Sequence, residues 1–509
     1  MSDQYTLLDA LDRAVEMYPQ NIAVRCHDQS WTYRAFRDRI TRVASGLAHL
    51  GIAPGDRIAV LSDGCHRFIE LYWAAMAAGA IVVPIGTRLS KDEVHYLLTD
   101  SAPAALVTDR EDRHDLLHEL GPSARFCISF QEELSHGIAY EALTRTEPDT
   151  IKWPRHSLDT PVGIFYTAAV QGVPQGAVIT QGNWLAQAIQ TGVGLGIGPD
   201  DTCGVFLPLY HMFGAYMMVV TTCHGATNAV LPAFAADEAA RLIQAQRVTF
   251  FAEFAPMADR LLSAATTQGI DLAQSLRFVV GIDLPETINR YLAQGIRWFN
   301  LYGQTEVAGL CVTGEVHAGT DFNNYSGRPM LLTRVSLRNP QGDPVPAGES
   351  GELWVRSPTV VVRYWPDRPT RLTPDGWLRT GDILRADAAG NLWYIGRSDD
   401  KYLIKSGGEN VYPAEVEQVL RQHPAIAQAC VFGVPDPVWK EAVRAVIVVK
   451  PDHHVTPDEV RAFCRERIAH FKCPKDVIMV TELPQTGGQI DRDAVRQRYG
   501  SARSDSPAG

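Results

Sequence analysis

The sequence predicts an α/β protein of two domains: a large N-terminal one with parallel sheets flanked by helices and a β-rich subdomain, and a small α+β one at the C-terminus. Three observations carry this. Segments of strand and helix character alternate along most of the chain, which builds parallel sheets covered on both faces. From Thr333 to Arg356 the pattern changes to short alternating strands with turn residues such as Asn339-Pro340-Gln341-Gly342-Asp343, the mark of a β-rich subdomain. At 509 residues, with 46% of them hydrophobic, the chain exceeds what one core organises.

Taken in order, Leu7, Leu8, Leu11, Ala14 and Val15 recur at helical spacing, and Pro19 closes that segment. Short strands are expected at Ile22 to Arg25 and Trp31 to Tyr33, then an amphipathic helix from Arg34 to His49, stopped by Gly51 in a left-handed cap. A strand over Asp56 to Ser62, a helix over Arg67 to Ala78, a buried strand at Ala80 to Val83 and a helix near Asp92 to Leu98 follow. Glu111 to Pro161 is less regular. Beyond it, Asp237 to Gln246 reads as helix, and Val248 to Phe251 and Arg277 to Val280 read as strands. The chain is expected to leave the large domain near Gly396 to Asp400, giving domains over 1–395 and 397–500 and a disordered polar tail over 501–509. Helices near Ala414 to Arg421, Pro457 to Ala469 and Asp493 to Tyr499 belong to the second domain.

Charge and cysteine usage narrow the function classes. A formal net charge of -11 argues against a general polyanion binder, so no nucleic-acid partner is expected. The nine cysteines are scattered, with no C-x-x-C pair and no zinc-ligand spacing, as in a reduced, cytoplasmic protein. Asp3, Asp9 and Asp12 stand where a secretory signal carries positive charge. The apolar run Tyr72 to Ile85 is broken by Gly79 and Pro84 and is too short to span a membrane.

Two blocks carry the chemistry. Asn300-Leu301-Tyr302-Gly303-Gln304-Thr305-Glu306 joins an aromatic face to a backbone glycine, a hydroxyl and a carboxylate, the parts needed to stack a purine, bond a phosphate and hold a magnesium ion. The second runs from Gly396 to Glu409, Gly-Arg-Ser-Asp-Asp-Lys-Tyr-Leu-Ile-Lys-Ser-Gly-Gly-Glu. In this order and spacing the blocks resemble the adenylate-forming superfamily of acyl-CoA synthetases, peptide-synthetase adenylation domains and luciferases, over nearly the whole chain.

The resemblance implies roles residue by residue. Tyr302 stacks the adenine, Thr305 contacts the α-phosphate and Glu306 ligates magnesium. Gly281 to Leu284 resembles the loop bordering adenine and acyl group, with Asp283 a departure. His211, in Leu207-Pro208-Leu209-Tyr210-His211-Met212-Phe213-Gly214, is a gate between acyl pocket and thiol entrance. Asp382, ending Asp375-Gly376-Trp377-Leu378-Arg379-Thr380-Gly381-Asp382, accepts from both ribose hydroxyls. Arg397 reaches the nucleotide, Asp399 marks the hinge, and Lys405, Ser406, Gly407 and Gly408 line the CoA channel after the small domain rotates.

Two stretches depart from the superfamily pattern. The phosphate loop reads Phe165-Tyr166-Thr167-Ala168-Ala169-Val170-Gln171-Gly172-Val173-Pro174-Gln175-Gly176, keeping Thr167 and Gly172 as nucleotide-binding residues but with Gln175 at the lysine position. Ala168, Ala169, Val170 and Gln171 likewise replace hydroxyl-bearing or small residues, so phosphate donors are lost. Near the end, Leu483-Pro484-Gln485-Thr486-Gly487-Gly488-Gln489-Ile490 places Gln489 at the lysine that bridges carboxylate and α-phosphate. A neutral amide there bonds both oxygens but does not offset their repulsion.

The implied activity is ATP-dependent activation of a small carboxylic acid through an acyl-adenylate, with transfer to CoA, a carrier protein or an amine, and with the first half-reaction impaired. The alternative is a homologue that binds AMP or acyl-adenylate for regulation, or performs only the transfer. ATP or AMP, Mg2+ and CoA are the implied cofactors. The acid stays open, although Glu253 or Asp283 would favour a polar or amine-bearing one; oligomeric state stays open too, a homodimer included.

Overall fold

The computed structural model describes residues 4–110, 124–131, 137–148, 156–167, 174–319, 322–397, 403–406, 409–436, 439–451, 453–486 and 489–501. Gly172, Asp399, Gly407, Gly408 and the tail after 501 lie outside them, as do Ala168 to Gln171. The chain forms two compact units. The first comprises residues 1–87, 98–165 and 176–396; the second comprises 88–97, 166–175 and 397–509.

Sequence patterning and structure meet closely in the first unit. The opening helix is Leu7–Met17, with Thr6 and Asp9 forming a capping box. Tyr33–His49 is the long amphipathic helix: the Thr32 hydroxyl accepts from Ala35 N at its start, and Gly51 follows its end at φ +82°. Helix His66–Ala78 lies between strands Arg57–Leu61 and Ile81–Pro84, which pair in parallel, as an α/β crossover requires. The expected strand at Val248 forms two residues later, as Phe250–Phe254, with the Thr249 hydroxyl just before it donating to Asp201 Oδ1 at 2.7 Å.

Among the described residues the unit holds a thirteen-stranded and a nine-stranded sheet. In the larger, Thr202–Val205, Thr227–Val230, Phe250–Phe254, Phe278–Ile282 and Arg297–Gln304 run parallel. The change to antiparallel pairing comes earlier than the turn residues suggest, at Gly309–Val316, which pairs back onto Arg297–Gln304. The β-rich region is therefore a continuation of the large sheet. Strand Leu378–Ala386 lies four places from Arg297–Gln304, through Gly309–Val316, Tyr325–Pro329 and Leu392–Arg397. Laid flat, four strand spacings amount to about 19 Å. Side chains of the two strands nevertheless touch (below), so the sheet curls around a core that includes Tyr302, Val312, Leu353, Leu378, Leu384 and Leu392.

One buried group gives this unit a pH signature. His66 stacks on Trp31 at 4.2 Å, is buried, and neither ring nitrogen has a hydrogen-bond partner among the described residues. Burial, then the positive charges of Arg67 and Arg39, push its pKa down to about 3 against the opposing pull of Glu141. The unfolded imidazole takes up its proton as pH falls through about 6.5, whereas the folded one stays neutral until about 3. Stability is thus lost across that window, at up to about 1.4 kcal/mol per pH unit from this one group. Denaturant midpoints measured from neutral to mildly acidic pH are expected to fall less steeply in His66→Leu than in the parent; parallel slopes would refute this.

The second unit has an α+β core of its own. Strand Ile426–Asp436 pairs antiparallel with Lys440–Val449, which pairs parallel with Asp476–Val480. Helices Pro413–Arg421 and Pro457–Arg467 cover the sheet through Val416, Leu420, Val460 and Cys464, and both begin with proline at a first-turn position where no backbone donor is needed. No helix among the described residues is long and apolar enough to cross a membrane.

Candidate active site

The site is built on strand Arg297–Gln304. Its alternation sends Phe299 and Leu301 into the main core and Trp298 into the layer on the opposite face. The indole N–H of Trp298 donates to Asn300 Oδ1 and to the Gly281 carbonyl, and the Asn300 amide donates to Tyr325 O at 2.8 Å. These bonds tie Tyr302's strand to strands Phe278–Ile282 and Tyr325–Pro329. Gly303 is required by close approach: a Cβ there would overlap the Gly309 carbonyl.

Tyr302 is buried, and its hydroxyl donates to Asp382 Oδ2 at 2.6 Å. Burial, then the adjacent Asp382 carboxylate, push its pKa well above the usual phenol value, so the phenol remains a donor. The strand order alone would not bring Asp382 here; a bulge does. Glu352 pairs with Ile383 but Trp354 with Arg379, so the segment carrying Thr380 to Asp382 is out of step with its neighbour. Gly381 supplies the left-handed conformation, at φ +71°. The bulge is held from below by Glu352, whose Oε1 accepts from Gly381 N at 3.0 Å and whose Oε2 accepts from Arg379 and the Trp354 indole. Thr380 donates to Leu353 O at 2.6 Å.

Past Gln304 the chain turns through a short 3-10 helix, Thr305–Val307, and leaves it at Ala308 with φ +52°. Thr305 is half-buried and Glu306 buried. The Glu306 backbone carbonyl accepts from Val361 N at 2.9 Å, and its carboxylate Oε1 accepts from the Tyr364 hydroxyl at 2.8 Å. Tyr364 escaped the sequence reading because it belongs to no motif considered there. The aromatic pair Tyr364-Trp365 just before Pro366 was the available signal.

Gly281 ends a central strand beside Glu253, and a Cβ at this position would collide with the Glu253 side chain. Glu253 is fully buried, whereas Asp283 is half-buried and its Oδ1 accepts from Leu284 N at 2.6 Å. His211 is exposed at the start of helix Met212–Cys223, whose Phe213 packs against Phe254 at 5.3 Å and Tyr216 at 5.7 Å.

The other expected residues fall in the second unit. Thr167 ends strand Pro161–Thr167 and donates from Oγ1 to Gln175 O at 3.3 Å. Arg397 ends strand Leu392–Arg397 and is the residue at which the chain passes into that unit. Lys405 and Ser406 share the short strand Ile404–Ser406, with Lys405 exposed, its backbone N donating to Glu441 Oε2, and Ser406 buried. Gln489 is described by its backbone alone, in a two-residue strand paired with Gln485–Thr486.

The residues present fit a magnesium ion carried by a nucleotide. Among the described residues there is no group of three or more His, Cys, Asp or Glu able to hold a metal. Glu306 offers a carboxylate, one oxygen of which accepts from Tyr364. Magnesium is commonly held that way, by one or two carboxylates with waters and substrate phosphates completing the shell.

Fold and site define an adenylate-binding ligase. The chain belongs to the AMP-binding enzyme family: that family's model matches residues 11–365, and the model of the AMP-binding enzyme C-terminal domain matches 415–488. It is 32% identical over 496 residues to the feruloyl-CoA synthase of an Amycolatopsis species, covering 96% of this chain and 98% of that protein. Among solved structures, it is similar to a double mutant of o-succinylbenzoate CoA synthetase from Bacillus subtilis bound with a product analogue, with a TM-score of 0.84 and 26% identity over 96% of this chain and 98% of that one. It is also similar to an amide bond synthetase from Marinactinospora thermotolerans, with a TM-score of 0.85 and 27% identity over 96% and 99% of the two chains. Further structures of the Bacillus subtilis enzyme contain AMP and the acyl-adenylate intermediate. The enzyme class is thus acid-CoA ligase working through an acyl-adenylate.

Proposed function

We propose that the protein activates an aromatic carboxylic acid with ATP in the cytoplasm and transfers the acyl group to CoA, with adenylation the weaker half. In the first step the acid's carboxylate oxygen bonds to the α-phosphorus and pyrophosphate leaves; in the second the CoA sulfur bonds to the acyl carbon, AMP leaves with its electron pair and the thiol proton is released. The Tyr302–Asp382 hydrogen bond carries the reading, because it joins the adenine-stacking and ribose-binding residues into one nucleoside cradle. Thr305 meets the α-phosphate. Glu306 would hold Mg2+, which neutralises phosphate charge when bound. Arg397 grips the nucleotide and Asp399 is the hinge; Lys405 and Ser406 line the CoA channel. An aromatic acid is supported by the Phe213, Phe254 and Tyr216 cluster below His211 and by the substrates named for the relatives.

Gln175 and Gln489 favour a second reading, a protein that binds acyl-adenylate and performs only the transfer. Pyrophosphate exchange with ferulate, 2-succinylbenzoate and simpler aryl acids is expected to be slow but measurable, and synthetic aryl-AMP with CoA to turn over faster. No exchange with rapid transfer would establish the second reading in place of the first. The likeness to the amide bond synthetase puts amines beside CoA in the same acceptor assay.

A further inference from the structure

The segment after Val360 makes a sequence of anchored contacts that none of the assigned roles uses. Val361 N donates to the Glu306 carbonyl, and Tyr364 pairs antiparallel with Ala177, the second residue after Gln175. Trp365 N donates to Gly176 O at 2.7 Å and its indole N–H to Asp100 O at 2.9 Å, with the Arg57 guanidinium 5.1 Å over the ring. Arg368 closes on Asp100 at 2.6 Å. The backbone of Tyr364 is thereby fixed to the strand that leaves the phosphate turn, while its hydroxyl donates to Glu306 Oε1 at 2.8 Å.

We infer that Tyr364 is a positioning residue for the metal-bearing carboxylate: by occupying Oε1 it turns Glu306 so that Oε2 is presented to a nucleotide-bound divalent cation, with its own backbone held by Ala177 and Gly176. The inference rests on the reading of Glu306 given under Proposed function. A carboxylate on a flexible side chain with two equivalent oxygens has several ways to meet a cation. A short hydroxyl bond to one oxygen from a residue with a pinned backbone removes most of them, the ordering being supplied by the fold before ligand arrives. Acting on the cation through Glu306, Tyr364 shows its effect in how strongly magnesium assists ATP binding and not in binding of AMP.

The test is calorimetric. ATP affinity is measured with saturating Mg2+ and with EDTA, and the ratio is the magnesium assistance. Tyr364→Phe is expected to lower that ratio about 10-fold, the effect of losing one hydrogen bond to a charged group, while AMP affinity stays at the parent value. Glu306→Gln is expected to abolish the assistance, and Tyr364→Phe added to it to have no further effect. Tyr364→His, a second variant that retains a ring donor at shorter reach, is expected to fall between parent and Tyr364→Phe. An unchanged ratio in Tyr364→Phe, or AMP affinity falling in parallel, overturns the positioning role. If the parent itself binds no AMP, the nucleotide reading fails first, and the two failures are distinguished.

Discussion

Gln489→Lys is expected to raise pyrophosphate exchange by roughly two to three orders of magnitude, the usual effect of one preorganised donor at developing charge. The carboxylate that attacks and the phosphate it attacks are both anions, and their repulsion is largest as the bond forms. A cation between them stabilises that arrangement more than the separated reactants, so its gain appears in kcat. In the proposed role Gln489 would supply hydrogen bonds without charge. The transfer step has no such repulsion to offset, so transfer from synthetic aryl-AMP to CoA is expected to change little in the same variant. Unchanged exchange in Gln489→Lys, with exchange gained instead in Gln175→Lys, would assign the deficit to the phosphate turn.

Asp382→Ala is expected to weaken AMP binding about 100-fold, because two charge-assisted bonds to ribose are lost. It also removes the acceptor of the Tyr302 hydroxyl. Asp382→Asn keeps the shape and an acceptor oxygen and is expected to lose about 10-fold. Calorimetric titration with AMP decides the matter: parent-like affinity in Asp382→Ala would remove the ribose from this strand.

Most of the element pattern was legible because amphipathic periodicity and capping residues are local. Helices Tyr33–His49 and Pro413–Arg421 begin and end within a residue of where proline, glycine and the apolar spacing put them. What the chain does not display locally is pairing over distance. The continuity of the β-rich region with the parallel strands depends on Gly309–Val316 folding back onto Arg297–Gln304, and no single turn residue announces that. Asp382 was readable as a candidate ribose ligand from its motif, but the bulge that delivers it to Tyr302 lies in a mismatch between two strands. Tyr364 was silent for the same reason: its partner Glu306 is 58 positions away, and a tyrosine near a proline has no chemical signature until that carboxylate is beside it. His66 lies one residue before the helix that the spacing predicts, and nothing in the sequence marks it as a buried base whose ring nitrogens have no partner among the described residues.

The curl of the large sheet has a mechanical corollary. The two halves of the proposed nucleoside cradle sit on walls facing each other across a shared apolar filling, so their separation is governed by how well Leu353, Leu384 and their neighbours are packed. A nucleoside gripped by both walls therefore acts as a clasp, and its binding strengthens the closure of the whole barrel-like section. Thinning the filling with Leu384→Ala would loosen that grip without altering any atom that meets the ligand, so affinity and heat resistance of this section rise and fall together.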